Sequence, residues 1–536
     1  MSAALGEWLA ALLAAGLGVA ILVQWLRLRP LHRPRADAAP RRAVPAEVAP
    51  LASPPPREPR PPRPPRRRRR PDVAARGPFV AAVAVGGLVR LVWVIVATRT
   101  PTGLRDPAEY LRIAVAFSEG ETLRFGGGGD PSAFWPPGYP ALLAPFVWLT
   151  RQTGWSSTAF TASLVNVVAG TATIVLAAWL AERWLGAATR NPTAWLVALS
   201  PGLVYWTSTP HTETAFTPLF LATLALASWA AATPSTRRWA LVGALVALAF
   251  LIRSPGVIGV AAPALALRSE RGTWRGALRP TLVTAGVALL LLVPWTVRNG
   301  LQVGFWSPAS TNNAGAVCFG HHDDALALWE PEKLSQEIQD DCYGTSPYAE
   351  RRFAELYGLD DAQAAAMPAD VDEAAWYRDA TGRGLRWALA NPTREVPLEL
   401  RKLWETWSSE GRVVDGARNF EEPGWAGRWH GPLEAAADWW GWLVGAAALA
   451  GLALMTTCRR ALVLWVPIAL YTLAILGGVV DPHYRYPVVP LVATLAAGAV
   501  AAWWYRGSPA PEDGGGDHAT TPRVGEHEGS TGRAPR

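Results

Sequence analysis

The stretch ALVGALVALAFLIRSPGVIGVAAPALAL, residues 240–267, is an apolar run broken in its middle by RSPG. Basic clusters flank it, at 237–238 and from Arg268 to Arg279. Because Lys and Arg mark the cytoplasmic ends of membrane helices, the chain must cross outward and return between these clusters. Each half has about 13 residues and spans roughly 20 Å as a helix, against an apolar core of about 30 Å. The stretch therefore predicts a short broken hairpin with Arg253 near its tip.

The composition places this hairpin in a polytopic all-α membrane protein. Half of the 536 residues are hydrophobic and only 17% are charged, which is unlike a soluble protein of this length. Apolar runs of about 20 residues, the length that crosses a bilayer, recur along the chain. Further membrane helices are predicted at 8–26, 78–98, 158–182, 192–209, 213–231, 278–296, 437–457, 461–479 and 487–505.

The two ends of the chain differ in character from this bundle. The first apolar run, within residues 1–29, has no positively charged segment before it and no clear cleavage site after it, so we predict a retained anchor rather than a signal peptide. Between positions 27 and 76 there are 15 Arg and four acidic residues, interleaved with Pro. Such a segment cannot pack a core, so we expect 30–77 to be a disordered cytoplasmic linker. We expect it to bind anionic lipid headgroups rather than nucleic acid. Residues 507–536 are predicted to be a disordered cytoplasmic tail.

Three segments fall on the external side in this topology. They are the first external loop 99–157, the long segment 300–436 and the short turn 479–487. The long segment is too long for a connection and contains helical patterns, so we predict a mostly helical external domain. The membrane core is then 78–299, and the C-terminal transmembrane helices are 437–506.

The external loop begins with TGLRDPAEYLRIA, residues 102–114, which carries two acids beside the membrane. Asp106 as N-cap, Pro107 at the first helical position and Glu109 two residues later form a helix start that resembles a capping box, with Gly120 ending the helix. Capping alone accounts for both acids. The alternative is that Asp106 also works as a catalytic base.

A set of short motifs favours catalysis. After Asp106 the chain has WPPGYP at 135–140, HTETAFTPLF at 211–220, LIRSPG at 251–256, PWTVRN at 294–299, STNNAG at 310–315 and HYRYP at 483–487. In this order they resemble the motifs of C-type membrane glycosyltransferases, the family of protein O-mannosyltransferases and bacterial lipid A aminoarabinose transferases. RSP and NNAG depart from the family patterns RP and nGG, and the basic N-terminal extension is not typical of the family.

The resemblance implies transfer of a sugar from a polyprenyl-phosphate carrier to an acceptor hydroxyl on the external face, by a single displacement with inversion. It implies catalytic roles for Asp106 and Glu213. It implies contacts to the donor phosphate from cations at the external helix ends, and acceptor or site-shaping roles for residues of the first loop and the STNNAG motif. The donor group is Arg253, Arg298, His483 and Arg485; the shaping group is Glu109, Trp135, Tyr139 and Asn312.

Neither a cofactor nor a metal is expected. The run FGHHDDALALW at 319–329 contains His321, His322, Asp323 and Asp324, but adjacent residues rarely ligate one ion without further ligands. Cys318 and Cys342 flank this run and could be bridged if the segment faces an oxidising compartment.

Two other classes of function stay open at this stage. A transporter or lipid flippase would also be polytopic, although its ionisable residues would lie near the bilayer midplane. A sugar-binding or scaffolding membrane protein would keep the fold without catalysis. The expected setting is the cytoplasmic membrane of a bacterium, with a protein, lipid or cell-wall glycan as acceptor and with the site facing outward.

Overall fold

The computed structural model describes residues 77–98, 100, 106–124, 131–323, 325, 342, 372–411, 430–455 and 459–506. The predicted anchor 1–29, the linker up to residue 76 and the tail 507–536 lie outside the described residues. The described α-helices, in chain order, are α1 Gly77–Ala97, α2 Asp106–Ser118, α3 Gly138–Thr153, α4 Thr158–Leu185, α5 Ala187–Ala198, α6 Pro201–Tyr205, α7 Thr212–Ala232, α8 Thr236–Ile252, α9 Ala262–Arg271, α10 Leu278–Val303, α11 Asn313–Gly320, α12 Glu373–Ala390, α13 Pro392–Ser408, α14 His430–Met455, α15 Leu462–Leu476 and α16 Val489–Arg506.

Six helical segments among the described residues are long and apolar enough to cross a membrane. They are α1, α4, α7, α10, most of α14 and the segment Pro482–Trp503 that contains most of α16. Within the described ranges the only β-type pairing is a single bridge between Arg124 and Pro131. The predicted all-α polytopic fold is therefore confirmed.

The predicted break at RSPG is confirmed, and the segments on its two sides are unequal in length. Helix α8 has 17 residues and ends at Ile252, a 3₁₀ helix follows over Ser254–Ala261, and α9 has 10 residues. Pro255 lies in the first turn of the 3₁₀ helix, where a missing N–H costs least. Gly256 lies so close to Phe250 that a Cβ would come within 2.4 Å of its backbone nitrogen. Pro255 and Gly256 thus both fit the conformation of the chain at the break.

One predicted membrane helix is corrected. Residues 192–209 do not form one span, because α5 ends at Ala198 and the separate short helix α6 starts at Pro201. The chain then enters a buried polar run that includes Thr207, Ser208 and Thr209. Ser and Thr side chains compete with helical backbone bonds, and here Thr207 and Ser208 donate back to carbonyls of α6, three residues earlier. This irregular run leads directly into the start of α7.

Close backbone contacts and one buried cation hold the membrane helices together. A Cβ at Gly86 of α1 would come within 2.8 Å of the Ala198 side chain in α5, so only Gly allows this approach. One turn further, the fully buried Arg90 donates to the carbonyls of Gly86, Val197 and Ala198 at 2.9 to 3.0 Å. Its guanidinium satisfies carbonyls at the C-terminal end of α5, where the helix leaves them without partners.

The described part of the predicted external domain is helical and lies against the loops that join the membrane helices. It consists of α11, α12 and α13, of which α11 packs on α12. Helix α13 contacts the 3₁₀ helix Pro482–Val488 and α15. One end of the bundle brings together the start of α7, the end of α8 and this 3₁₀ helix. Helix α3 contacts α8 there, and α2 packs on α3. The outer boundaries of that domain, at 300 and 436, stay predictions.

Candidate functional site

The centre of the candidate site is the carboxylate of Glu213, which is fully buried in the first turn of α7. It pairs with the guanidinium of Arg253 and with Nδ1 of His211, and its Oε2 accepts a hydrogen bond from Thr212 at 3.2 Å. Nε2 of His483 lies 3.3 Å from Glu213 Oε1. A carboxylate without these partners would be costly to bury, so they are part of the reason that it can lie here.

Arg253 reaches Glu213 because it terminates α8 and has extended backbone angles. Its Nη1 also donates to Thr212 Oγ1 at 2.7 Å, and its guanidinium carbon lies 5.2 Å from the centre of the Tyr484 ring. The RSPG break therefore turns a cation at the end of a membrane helix toward the start of α7. The predicted interior position of Arg253 is confirmed, while its contact with a phosphate stays a prediction.

His211 connects this buried cluster to Asp106. The imidazole is buried, stacks on Trp206 with ring centres 5.5 Å apart, and places Nε2 3.8 Å from Asp106 Oδ2. Burial of the ring opposes protonation, but the carboxylates of Glu213 and Asp106 outweigh it and raise the pKa of His211 above its usual value. The ring is therefore poised to carry positive charge beside Asp106.

Asp106 is the first residue of α2, and its side chain is 40% exposed, in contrast to the buried Glu213. Helix α2 thus begins one residue earlier than predicted, and it ends at Ser118 rather than reaching Gly120. The other acid, Glu109, is buried and bonds to Arg112 at 2.5 Å, three residues along the same helix. Of the two acids in the first turn, Asp106 is the one that a substrate can reach.

The wall beside Asp106 is aromatic. Tyr110 of α2 lies at its centre, with ring centres 5.7 Å from Trp135, 5.7 Å from Tyr139 and 5.8 Å from His211. Tyr139 is buried and its hydroxyl donates to Asn166 Oδ1 at 3.2 Å. Trp135 and Tyr139 therefore pack against Tyr110 beside the site, and their role in binding an acceptor stays a prediction.

Gly138 explains why the WPPGYP turn fits against Arg253. A Cβ on Gly138 would lie 2.6 Å from the carbonyl carbon of Leu251 and 2.7 Å from the nitrogen of Ile252. These are backbone atoms of the last turn of α8, so they cannot rotate away. The turn and the helix end that carries Arg253 are thus held in direct backbone contact.

Arg298, a predicted phosphate ligand, lies in another set of contacts. Its guanidinium donates to the carbonyls of Ser132 and Leu123 at 2.5 and 2.6 Å, and to Thr122 Oγ1 at 3.1 Å. It therefore holds the two ends of the loop segment that precedes WPPGYP. Within the described residues Arg298 thus bonds to Leu123 and Ser132 rather than to Glu213, and its contact with a phosphate stays a prediction.

Glu373, the first residue of α12, holds the same loop from the opposite side. Its buried carboxylate accepts from the Ala133 N–H at 2.9 Å and from the Thr311 hydroxyl. Burial raises the pKa of Glu373 above its usual value, although both hydrogen bonds act in the other direction. Sequence reasoning missed this residue, since a Glu in a first helical turn is common for other reasons.

His483 and Arg485 come from the same 3₁₀ helix but have different surroundings. His483 faces Glu213, and its Nδ1 bonds to Asp481, which also accepts from the backbone N–H of His483 at 3.0 Å. The Asp481 side chain is about half exposed; its partial burial acts against ionisation, but His483 outweighs this and lowers the pKa of the carboxyl. Arg485 instead donates to Glu410 and to two carbonyls, at positions 406 and 409. These bonds link the 3₁₀ helix to the end of α13, and the predicted contact of Arg485 with a phosphate stays a prediction.

Both asparagines of the STNNAG motif make contacts near the site, the predicted Asn312 and its neighbour Asn313. Asn312 accepts from the Ser310 hydroxyl at 2.9 Å, and its backbone N–H donates to the Phe134 carbonyl at 3.4 Å. The side chain of Asn313 donates to Ser254 Oγ at 2.9 Å, next to Arg253. Asn312 thus supports the loop before WPPGYP, and Asn313 supports the break in the hairpin.

Some residues of the cluster could be found only in three dimensions. His211 and Asp481 were not selected from the sequence, although each lies two residues from a selected one, Glu213 and His483. His211, Glu213 and His483 each offer an atom within 4.8 Å of the others, which is a spacing that could hold a divalent cation. Because the Arg253 guanidinium already neutralises Glu213, an ion there would compete with a fixed cation. The expectation of no metal stays a prediction.

Comparisons with known proteins bear on this fold and cluster. Residues 135–297 match the family model described as "Dolichyl-phosphate-mannose-protein mannosyltransferase". The matched segment begins in WPPGYP and includes Glu213 and Arg253. It confirms the resemblance to C-type membrane glycosyltransferases that the motifs predicted. No curated protein sequence matches the chain at a significant level.

Solved structures give distant similarities. The oligosaccharyltransferase AglB from Archaeoglobus fulgidus has 12% identity and a TM-score of 0.46, and the alignment covers 81% of this chain and 51% of the AglB chain. ArnT from Cupriavidus metallidurans, bound to undecaprenyl phosphate, has 16% identity and a TM-score of 0.37, covering 80% and 78%. The arabinosyltransferase EmbB from Mycobacterium smegmatis has 14% identity and a TM-score of 0.29, covering 78% and 41%. The chain spans about half the length of the archaeal enzyme.

Proposed function

We propose that the protein is an integral-membrane glycosyltransferase. It moves a sugar from a polyprenyl-phosphate carrier to an acceptor hydroxyl at the external face of the membrane. The observation that carries the proposal is the proximity of an accessible carboxylate, Asp106, to a buried cluster that contains one guanidinium and two imidazoles. The cluster is built around Glu213 from Arg253, His211 and His483, and Nε2 of His211 lies 3.8 Å from Asp106 Oδ2.

Asp106 is the general base in this proposal. An acceptor hydroxyl is a weak nucleophile, and a positioned carboxylate accepts its proton as the oxygen attacks the anomeric carbon. The new bond is C–O to the acceptor, and the bond that breaks is C–O to the phosphate. The electron pair of that bond leaves with the polyprenyl phosphate. A single displacement of this kind inverts the anomeric centre.

The leaving phosphate gains negative charge, so fixed cations beside it lower the barrier. Arg253 suits this role because its Nη1 is held by Glu213 and Thr212. Its buried Nε has no hydrogen-bond partner within the part of the chain that the structure describes. Glu213 in this scheme aims Arg253 and the two imidazoles, and it makes no contact with the acceptor.

The first experiment uses protein purified in lipid, a panel of polyprenyl-phosphate sugars and an envelope extract as acceptor. Release of free polyprenyl phosphate is measured for wild type, Asp106→Asn and Asp379→Asn. Asp379 is a matched control, an exposed acid of α12 that pairs with Arg383. We expect the Asp106 variant to lose about 10²–10⁴-fold in turnover and the control to keep wild-type activity.

Equal turnover in wild type and the Asp106 variant would remove Asp106 as the base. Turnover absent for every donor, together with movement of labelled lipid or sugar across the vesicle membrane, would replace the proposal with a transporter. The anomeric configuration of an isolated product tests inversion.

A further inference from the structure

A second cluster of ligating side chains lies outside the candidate active site. It consists of His321, at the end of α11, and of Glu395 and Glu399, which lie one turn apart on α13. His321 Nδ1 is 2.7 Å from Glu395 Oε1 and 4.0 Å from Glu399 Oε1. Near His321 in the sequence, the only candidate metal ligands are its immediate neighbours. The fold brings Glu395 and Glu399 to it from more than 70 residues away.

We propose that His321, Glu395 and Glu399 form a binding site for a divalent transition-metal ion, and that Zn²⁺ is its occupant. Two ligand atoms that are each about 2 Å from a zinc ion lie at most about 4 Å apart. Tetrahedral ligands on bonds of that length are about 3.3 Å apart, and the distances of 2.7 and 4.0 Å from His321 to the two carboxylates lie on either side of this value, so side-chain rotation would bring them to it. One imidazole and two carboxylates, with water in the fourth position, form a set of ligand types that zinc accepts, and the nitrogen ligand disfavours Ca²⁺ and Mg²⁺.

The carboxylate of Glu395 is only partly satisfied by its neighbours. It bonds to His321, and its Oε2 is buried without a hydrogen-bond partner within the described ranges. The ammonium of Lys402 is bonded to Glu399 and to two backbone carbonyls, at positions 320 and 476, so it does not serve Glu395. A zinc ion would replace this ammonium at Glu399, and Lys402 would keep its two carbonyl partners. Arg394, the neighbour of Glu395, pairs with Asp323. A divalent ion at His321 would satisfy the Glu395 carboxylate.

The backbone that carries His321 is held firmly, as a metal site requires. Cys318, one turn before it, is bonded to Cys342 in a disulfide with a Cα–Cα distance of 5.6 Å. Gly320 packs directly on the backbone of Gly478, where a Cβ would come within 2.2 Å. The ion would therefore join α13 to the end of α11, whose first residue contacts the hairpin break through Ser254. It would act as a structural link rather than as a catalytic group.

The test uses full-length protein purified in detergent, stripped with chelator and titrated with Zn²⁺ against a chromophoric competitor. Wild type is compared with His321→Ala and Glu395→Gln, and His322→Ala is the neighbouring control. We expect the first two to lose one zinc equivalent, or to lose affinity on the order of 100-fold or more, and the control to retain it. Zinc should also raise the melting temperature of wild type and of the control only.

The variant His211→Gln distinguishes zinc bound at His321 from zinc bound at the Glu213 cluster. We expect this variant to keep the zinc equivalent that is assigned to His321. Glu395→Gln keeps the size of the side chain and guards against a folding artefact in His321→Ala. Co²⁺ substitution adds a direct readout, because its visible absorption should change when either ligand is replaced. Zinc content and affinity that are the same in wild type, His321→Ala and Glu395→Gln would overturn the proposal, as would equal loss in His322→Ala.

Discussion

The carboxylate of Glu213 and the guanidinium of Arg253 form a buried ion pair that joins the first turn of α7 to the end of α8. The two residues are 40 positions apart and come from different motifs. The pair sets the direction of the cation and also neutralises an acid that would otherwise be costly to bury. We therefore expect both the stability of the bundle and the activity of the site to depend on it.

Breaking this pair should be strongly destabilising. Glu213→Gln leaves a buried guanidinium without its counter-charge, so we expect a loss of about 3–5 kcal/mol in unfolding free energy. Glu119→Gln is the control, because Glu119 and Arg151 form an exposed pair whose loss should change stability by about 1 kcal/mol or less. Denaturant unfolding of both variants in the same detergent makes the comparison. A similar small effect in both would contradict a structural role for the buried pair.

Replacing Gly138 should disturb both the WPPGYP turn and the end of α8. In Gly138→Ala the new Cβ would collide with backbone atoms of Leu251 and Ile252, so we expect a lower melting temperature and loss of turnover. A Cβ on Gly286 in α10 would meet nothing within 4 Å beyond its own helix, so Gly286→Ala should be neutral or slightly stabilising. If the two variants melted at the same temperature, the contact with α8 would not matter.

Arg253 and Arg298 were both predicted to bind the donor phosphate, and we expect their replacement to have different effects. Arg253→Gln should raise the KM for the lipid donor and lower kcat, because its guanidinium lies in the cluster. Arg298→Gln removes bonds to two loop carbonyls, each about 1.5–3 kcal/mol for a charged donor, and should mainly lower the melting temperature. Steady-state kinetics and thermal melting of both variants check this. If the KM for the donor rose equally in Arg253→Gln and Arg298→Gln, the result would favour Arg298 as a donor ligand.

Glu373 should make stability depend on pH. Burial raises the pKa of its carboxyl above the ordinary value of 4.5, so the folded protein binds this proton more tightly than the unfolded chain. Between the two pKa values stability must therefore fall as the pH rises, and the full contribution is present only below the unfolded value. Glu373→Gln keeps an acceptor for Ala133 and Thr311 but cannot ionise.

The measurement is the melting temperature as the pH is raised from below the ordinary Glu pKa, for wild type and Glu373→Gln. We expect the variant to lack the part of the decline that begins near that pKa, while Glu119→Gln keeps the wild-type profile. Parallel profiles for wild type and Glu373→Gln would show that this carboxyl does not titrate differently in the folded protein.

Local sequence predicted those parts of the site that depend on one short segment. The RSPG break put Arg253 at a helix end, and DPAE put Asp106 at a helix start, because Pro and capping residues act within one or two turns. The roles of Arg298 and Arg485 could not be read in the same way. Both are cations at helix ends, and their partners are carbonyls of distant segments.

The sequence by itself determined that this is a helical membrane protein with a broken hairpin, since the lengths of apolar runs and the side of the basic residues set how a chain crosses a bilayer. Only the tertiary structure decided which ionisable groups meet. Asp106, His211, Arg253 and His483 come from four separate segments, and no local pattern records their distances. Burial and the choice of partner then give each group its charge and its role, and both arise only when the helices pack.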